Sequence, residues 1–218
     1  MKVTALIFDM DGVIVDSTAI HTEAWRVYLG QQGLDTVNIA DRMLGRHNDE
    51  LVRMFFAGES LTAGSISEHG FRKEALYRKM MAPVIESKLV PGVCDFISRH
   101  RDYPLAIATN AEPLNVDFIL DASGLRSEFK VIVDGLQGAR PKPFPDIYLT
   151  AAAKLGYKPE DCVVFEDSLT GIKAARSAGT KVVAVSTTLS SFADADLTIE
   201  NFLDPKLEPW LQQLTVSR

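Results

Sequence analysis

Little in this 218-residue sequence is basic, sulfur-bearing or apolar over a long run, and each scarcity excludes something. Against 29 Asp and Glu there are only 23 Lys and Arg, for a net charge of −6, and no basic run occurs. Binding a phosphate backbone needs clustered cations, so nucleic acid is excluded as a partner. There are two cysteines, Cys94 and Cys162, set among apolar neighbours and outside any C-x-x-C pattern. They predict buried free thiols in a reducing cytosol. No segment approaches the roughly 20 apolar residues of a membrane span. The opening MKVTALIFD lacks a signal peptide's apolar length and cleavage site. A cytoplasmic protein with no membrane partner is expected.

What remains is a globular composition, 46% apolar and 24% charged, in a chain long enough for one large domain or two smaller ones. Short β-branched runs bounded by turn residues occur as VTALIF at the start, then as LAIAT, KVIV, CVVFE, KVVAV and LTI from residue 105 onward. Between the later runs lie the helical patterns EPLNVDFILDASGL, FPDIYLTAAAKLGY and LTGIKAARSAG, each closing near a glycine. Such alternation is the signature of the α/β class with a doubly wound parallel sheet. From about residue 17 to 87 it lapses into helical spacing alone, in AIHTEAWRVYLGQQG, IADRMLG, NDELVRMFFAG and SEHGFRKEALYRKMMAPVIES. The sequence therefore predicts a core domain from residues 1–16 and 88–218, with an all-helical insertion at 17–87. Pro91 and Gly92 punctuate the return. The tail PKLEPWLQQL reads as a closing helix, with Trp210 as a packing residue.

Ligands of open α/β sheets bind beyond the carboxyl ends of the strands, and four of those ends carry polar groups. The first run gives Asp9 and Asp11, the second Thr109 and Asn110, and the fourth Glu166 and Asp167. After the third comes GARPKPFPDIY, with Lys142 between two prolines. Taken singly, Thr109 reads equally as a turn residue, Asp167 with Ser168 as a helix cap, and Lys142 as a surface lysine. Together on one sheet edge they suit phosphoryl transfer. Acids from two strand ends offer the oxygen ligands that Mg²⁺ takes, alongside water and a substrate phosphate. Asp9 would attack phosphorus to form an aspartyl phosphate. Asp11 would protonate the leaving oxygen and then activate the water that breaks the acyl phosphate. Lys142 and the groups around Thr109 would neutralise and orient the phosphoryl oxygens.

The set DMDGV, ATN, RPKPFPDIY and VVFEDSLTGIKAARSAG resembles the four motifs of the haloacid dehalogenase superfamily, in its branch with a helical cap after the first strand. The resemblance spans nearly the whole chain. It implies Asp9 as nucleophile and Asp11 as general acid and base, with Thr109 and Lys142 as phosphate ligands. It also implies Mg²⁺ held by Asp9, the Asp11 carbonyl and Asp167, with Glu166 beside that site as a ligand or a supporting acid. Because the superfamily also hosts dehalogenases, phosphonatases and mutases, membership alone does not fix the reaction. An acid at Asp11 favours a phosphate ester, whose leaving alkoxide needs a proton. Motif spacing is closest to the β-phosphoglucomutase-like subgroup. There VDSTAIHTEAW resembles the segment entering the cap, with Ser17 in a hydroxyl position and His21 in one that helps gate the acid/base residue. RMLGRHNDE resembles the substrate-specificity loop around Gly45.

The sequence departs from the mutase pattern at three cations. In a gapless alignment the lysine before Gly45 becomes Leu44, the arginine three past it becomes Asn48, and the core lysine three past Thr109 becomes Glu112. A mutase must grip a second phosphate so that a bisphosphate can turn over in its site, and these losses weaken that grip. Arg46 and His47 would compensate in part, although Arg46 reads equally as a solvated surface charge. The expected activity is therefore hydrolysis of a small phosphorylated metabolite, such as a sugar phosphate, with phosphomutase as the alternative. Receiver domains also gather an acid pair, a hydroxyl, a lysine and Mg²⁺, but they place the acceptor on a middle strand and carry no helical insertion. A monomer or weak homodimer is expected.

Overall fold

The computed structural model describes residues 5–43, 46–189 and 191–216. The chain divides into two compact units, Ser17–Val84 and Met1–Asp16 with Ile85–Arg218. The strands are β1 (Ala5–Phe8), β2 (Leu105–Ala108), β3 (Val131–Val133), β4 (Cys162–Glu166), β5 (Lys181–Val185) and β6 (Leu197–Ile199). Within the smaller unit the helices are α1 (Thr18–Gln31), α2 (Ile39–Met43), α3 (Asn48–Phe55) and α4 (Ala63–Met81). The larger unit carries α5 (Ile85–Lys88), α6 (Val93–Arg99), α7 (Pro113–Ala122), α8 (Asp146–Leu155), α9 (Leu169–Ala178) and α10 (Leu207–Val216).

The six strands form one parallel sheet in the order β3-β2-β1-β4-β5-β6. The chain leaves β1 for β2 on one side and later returns to β4 on the other. The gap between β1 and β4 is thus the topological switch point, where such sheets open a crevice at their carboxyl edge. Strand alternation sends Ala5 and Ile7 to one face, where they pack with Ala106, Ala108, Val164, Val182 and Ala184 beneath residues of α8 and α9. Small side chains there let the helices approach closely. Phe8 on the other face stacks on Phe165 at 4.6 Å and meets Phe96, Phe129 and Phe202 edge-on or tilted. Each such ring contributes about 1.5–3 kcal/mol by leaving water. β1 is buried on both faces and paired on both edges, which makes it a rigid base for whatever follows Phe8.

The sheet class and strand positions agree with the sequence. Several helical details differ for physical reasons. α4 starts at Ala63, ahead of the apolar spacing, because Thr62 and Ser65 form a reciprocal capping box. The long pattern after Ser67 stops at Met81, since Pro83 can neither donate in a helix nor fit beside the preceding turn, and α5 is a separate short helix. α6 lacks a strong sequence signal; its seven residues are fixed by burying Val93, Phe96 and Ile97. Cys162 is buried, as expected, but Cys94 is only half-buried.

Trp25, Tyr28, Leu29, Ile39, Leu51, Val52, Phe55, Phe56 and Ile66 form the core of the smaller unit. On α4 the buried stripe runs Ile66, Gly70, Lys73, Glu74, Tyr77 and Met81, so two charged residues lie inside the unit. They are satisfied as a network: Lys73 Nζ donates to Glu74 Oε1 at 2.5 Å and lies 3.2 Å from His21 Nδ1 and 5.2 Å above the Trp25 ring. The Asn48 amide also donates to Glu74 Oε1. Burial alone would raise the Glu74 carboxyl, but Lys73, His21 and Asn48 outweigh it and hold it down at about 2, against an ordinary 4.5. A depressed carboxylate stabilises the fold fully above its unfolded value and loses that contribution as pH falls through its folded one. Glu74→Gln should therefore cost the helical unit about 3 kcal/mol at pH 7, with the gap to the unsubstituted protein closing between pH 4.5 and about 2. Urea unfolding followed by Trp25 fluorescence, in a Trp210→Phe background, measures it.

Candidate active site

At the carboxyl edge of the sheet, beside the switch point, the chain sets down a cluster of buried charged groups. Asp9 follows β1 and still donates its amide to Phe165 O at 3.0 Å, so its carboxyl is held at the strand's mouth. Glu166 is the last residue of β4, Asp167 follows it, and Lys142 comes from the loop between β3 and α8. All four are buried, as is Thr109, whose amide donates to Val133 O beyond β2. Lys142 Nζ donates to Glu166 Oε1 at 2.6 Å. It also pairs with Asp9 Oδ1 at 2.9 Å. Asn110 is a neighbour of a different kind. Its side-chain oxygen accepts from the Lys142 amide at 3.3 Å and steadies the loop that delivers the lysine.

Three acids here surround one ammonium. Burial is the largest influence on Asp9; Lys142 pulls its carboxyl down, but Glu166 and Asp11 push with burial, and it rises to about 7. Asp167 is lifted well above the carboxylate range by burial and then by Glu166 and Asp9, against a hydroxyl bond from Thr188. Burial works against Glu166 too, but Lys142 and the donors around it prevail, and its carboxyl stays below the ordinary value. Lys142 is disfavoured by burial and restored by Asp9 and Glu166, so it is held above the usual lysine range. The cluster is short of positive charge. Asp9, Glu166 and Asp167 each offer a carboxylate oxygen within 4.8 Å of the other two, the only such group among the described residues. A second cation would relieve the crowding that drives protons onto Asp9 and Asp167. An all-oxygen donor set selects a hard divalent ion.

Two glycines make this crowding possible. A Cβ on Gly12, where φ is +76°, would lie 1.9 Å from Asp167 Oδ2, and one on Gly171 would lie 1.7 Å from Glu166 Oε1. The carboxyls occupy the space that side chains would fill. Gly12 also turns the chain after Asp11, as Gly12 N donates to Val15 O at 2.7 Å, leaving Asp11 half-buried at the bend. Thr187 Oγ1, beyond β5, donates to Gly12 O at 2.5 Å, and its neighbour Thr188 holds Asp167. Sequence reasoning missed both hydroxyls, and the STT that follows a strand was their one visible signal. It also missed Tyr148, whose buried phenol donates to Glu166 Oε1 at 2.7 Å.

The remaining candidates belong to the helical unit. Ser17 is fully buried ahead of α1, where its carbonyl accepts from the His21 amide. His21 stacks on Tyr77 with ring centroids 3.8 Å apart and faces the Lys73–Glu74 pair. Arg46 is exposed before α3. Gly45, with Leu44, lies outside the described residues. Lys73 and Glu74 were not anticipated, although two charges on the apolar stripe of α4 are a legible sign of a buried network.

An acid pair after the first strand of a doubly wound sheet, a buried lysine from the loop after β3 and an acidic pair after β4 define a class. Residues 3–179 match the family of haloacid dehalogenase-like hydrolases, and the chain belongs to it. It is 34% identical over 186 residues to the fructose-1-phosphate phosphatase YqaB of Escherichia coli, covering 84% of this chain and 97% of the relative. It is 31% identical over 209 residues to the β-phosphoglucomutase of Bacillus subtilis, covering 94% and 92%. Among solved structures, a mutant CbbY of Rhodobacter sphaeroides in complex with xylulose 1,5-bisphosphate superimposes with a TM-score of 0.80 at 29% identity, covering 92% of this chain and 95% of that one.

Because Glu166 is fully enclosed, Gly171→Ala should push it off its partners and cost at least about 2 kcal/mol in thermal unfolding. Gly30→Ala, on α1 with open space around it, should be neutral or stabilising by up to about 1 kcal/mol. Calorimetry on the two variants makes the comparison.

Proposed function

We propose that the protein is a Mg²⁺-dependent phosphatase that hydrolyses a small phosphomonoester, in the class of sugar phosphates, through an aspartyl-phosphate intermediate. The observation that carries this is Asp9: a buried carboxyl at the switch point, ion-paired to Lys142 and gathered with Glu166 and Asp167. Its oxygen attacks phosphorus while the ester oxygen leaves and takes a proton from Asp11, giving the alcohol and an acyl phosphate on Asp9. Asp11, now a base, removes a proton from a water that attacks phosphorus. The P–O bond to Asp9 breaks, and inorganic phosphate leaves with Asp9 again a carboxylate and Asp11 again protonated. Lys142 and Thr109 hold the phosphoryl oxygens through both steps. Asp9, Asp167 and the Asp11 carbonyl would hold the Mg²⁺, whose charge neutralises phosphoryl oxygens that the acids would otherwise repel.

The helical unit is the substrate-selecting cap in this reading, with His21 and Ser17 among its working residues. Hydrolysis is favoured over mutation because the cations for a second phosphate are replaced. Asn48 stands at one such position with its amide given to Glu74, and Glu112 stands at another, just before α7. Phosphosugars are supported by the names of the relatives, which include a fructose-1-phosphate phosphatase. No helix among the described residues is long and apolar enough to cross a membrane, and we place the enzyme in the cytosol as a monomer or weak homodimer.

With Mg²⁺ and a panel of sugar phosphates, phosphate release should be measurable and should fall at least about 10⁴-fold in Asp9→Asn. Asp11→Asn should lose about 10²- to 10⁴-fold, the usual range for a general acid and base. Conversion of β-glucose 1-phosphate to the 6-phosphate with little phosphate release would identify a mutase instead. Absence of turnover on every phosphomonoester would overturn the proposal.

A further inference from the structure

Glu166 meets the simplest geometric criterion for a metal ligand, since one of its oxygens lies within 4.8 Å of those of Asp9 and Asp167. Its hydrogen bonds say otherwise. Oε1 accepts from Lys142 Nζ at 2.6 Å and from the Tyr148 hydroxyl at 2.7 Å. Oε2 accepts from the Asp167 amide at 2.9 Å and from both the amide and hydroxyl of Ser168 at 3.0 Å. A carboxylate has about four lone-pair sites, and five donors already converge on this one. No lone pair remains for a cation. By contrast, Asp9 Oδ1 pairs with the Lys142 ammonium at 2.9 Å and is not crowded by backbone donors.

The bonds on Glu166 divide by purpose. Those on Oε2 tie the end of β4 to the start of α9, where Ser168 Oγ in turn accepts from the Gly171 amide at 3.0 Å. Those on Oε1 tie α8 to the loop that delivers Lys142. Tyr148 holds the ammonium twice over, by sharing Oε1 with it and by placing its ring 5.0 Å beneath it. A lysine side chain has four rotatable bonds, and restraint at both the oxygen and the ring leaves its charge one position, beside Asp9.

We propose that Glu166 and Tyr148 are positioning residues that fix the Lys142 ammonium against Asp9, and that Glu166 is not a ligand of the metal. The phosphoryl role of Lys142 rests on the phosphatase reading above; the assignment of Glu166 does not. Tyr148→Phe is the cleanest probe, because it keeps the ring and removes only the hydroxyl.

The test is direct binding to the full-length protein, with Mn²⁺ alone followed by paramagnetic resonance, and inorganic phosphate added to the Mn²⁺-loaded protein followed by calorimetry. Tyr148→Phe should weaken phosphate binding about five- to tenfold, the scale of one lost hydrogen bond, and change Mn²⁺ affinity less than about twofold. Glu166→Gln should retain far more Mn²⁺ affinity than Asp167→Asn, which should lose about a hundredfold or more. A merely structural role for Tyr148 would weaken both ligands together, and that result would overturn the proposal, as would unchanged phosphate binding. Equal loss of Mn²⁺ in Glu166→Gln and Asp167→Asn would make Glu166 a ligand and overturn it too. If the unsubstituted protein binds Mn²⁺ but no phosphate, the phosphatase reading fails, and the Mn²⁺ comparison still decides Glu166.

Discussion

The site depends on one imbalance: three buried carboxyls, Asp9, Glu166 and Asp167, gathered around the single ammonium of Lys142. Burying a charge is costly unless it is paired, and one cation cannot satisfy three anions. The structure settles this unequally. Glu166 takes the larger share of Lys142 and is held ionised by surrounding donors, while Asp9 and Asp167 are pushed toward their protonated forms. The unmet negative potential is what would make the edge of the sheet receptive to a hard cation and, in the phosphatase proposed above, to a phosphoryl group with it. A fully neutralised cluster would be more stable and would attract nothing.

The fold sustains the imbalance by removing alternatives. β1 is paired on both edges and packed on both faces, so Asp9 cannot retreat into solvent by local fraying. Gly12 and Gly171 give up their side-chain volume to the carboxyls of Asp167 and Glu166. Asn110 and Tyr148 come from different segments, the first accepting from the Lys142 amide and the second lying under its ammonium while bonding to Glu166. Positions that look like spacers in the sequence thus set the geometry of the charged residues.

Much of this was legible in the sequence. The short apolar runs end at the carboxyl edge of the sheet, and the polar residues found there point to Asp9, Thr109, Glu166 and Asp167, although Glu166 itself closes β4 as a buried, paired charge. Lys142 was found through its place after the third run, not through any local signal. Residues whose role depends on a distant partner were harder to see. Tyr148 lies on the apolar stripe of α8 like any core aromatic, and only the fold brings its hydroxyl to Glu166. Thr187 and Thr188 are ordinary loop residues until β5 carries them to Gly12 and Asp167. Lys73 and Glu74 were overlooked because charged residues on a helix read as surface, although their place on the buried stripe of α4 contradicted that. α6 is too short for periodicity to reveal it.

The central position of β1 also sets an order of assembly. Phe8 pairs with Ile107 on one side and Phe165 on the other, so the strand that carries Asp9 waits through most of the chain for both neighbours. Thr187 and Thr188 then close the bend at Gly12 and the carboxyl of Asp167 from later still. Such distant pairings are slow to form because the intervening loop must be closed before any contact rewards it. During synthesis the strand that carries Asp9 keeps at least one apolar edge unpaired until β4 follows, the kind of exposure that chaperones shield. The same topology keeps the charged cluster from existing until β4 has been made and paired with β1.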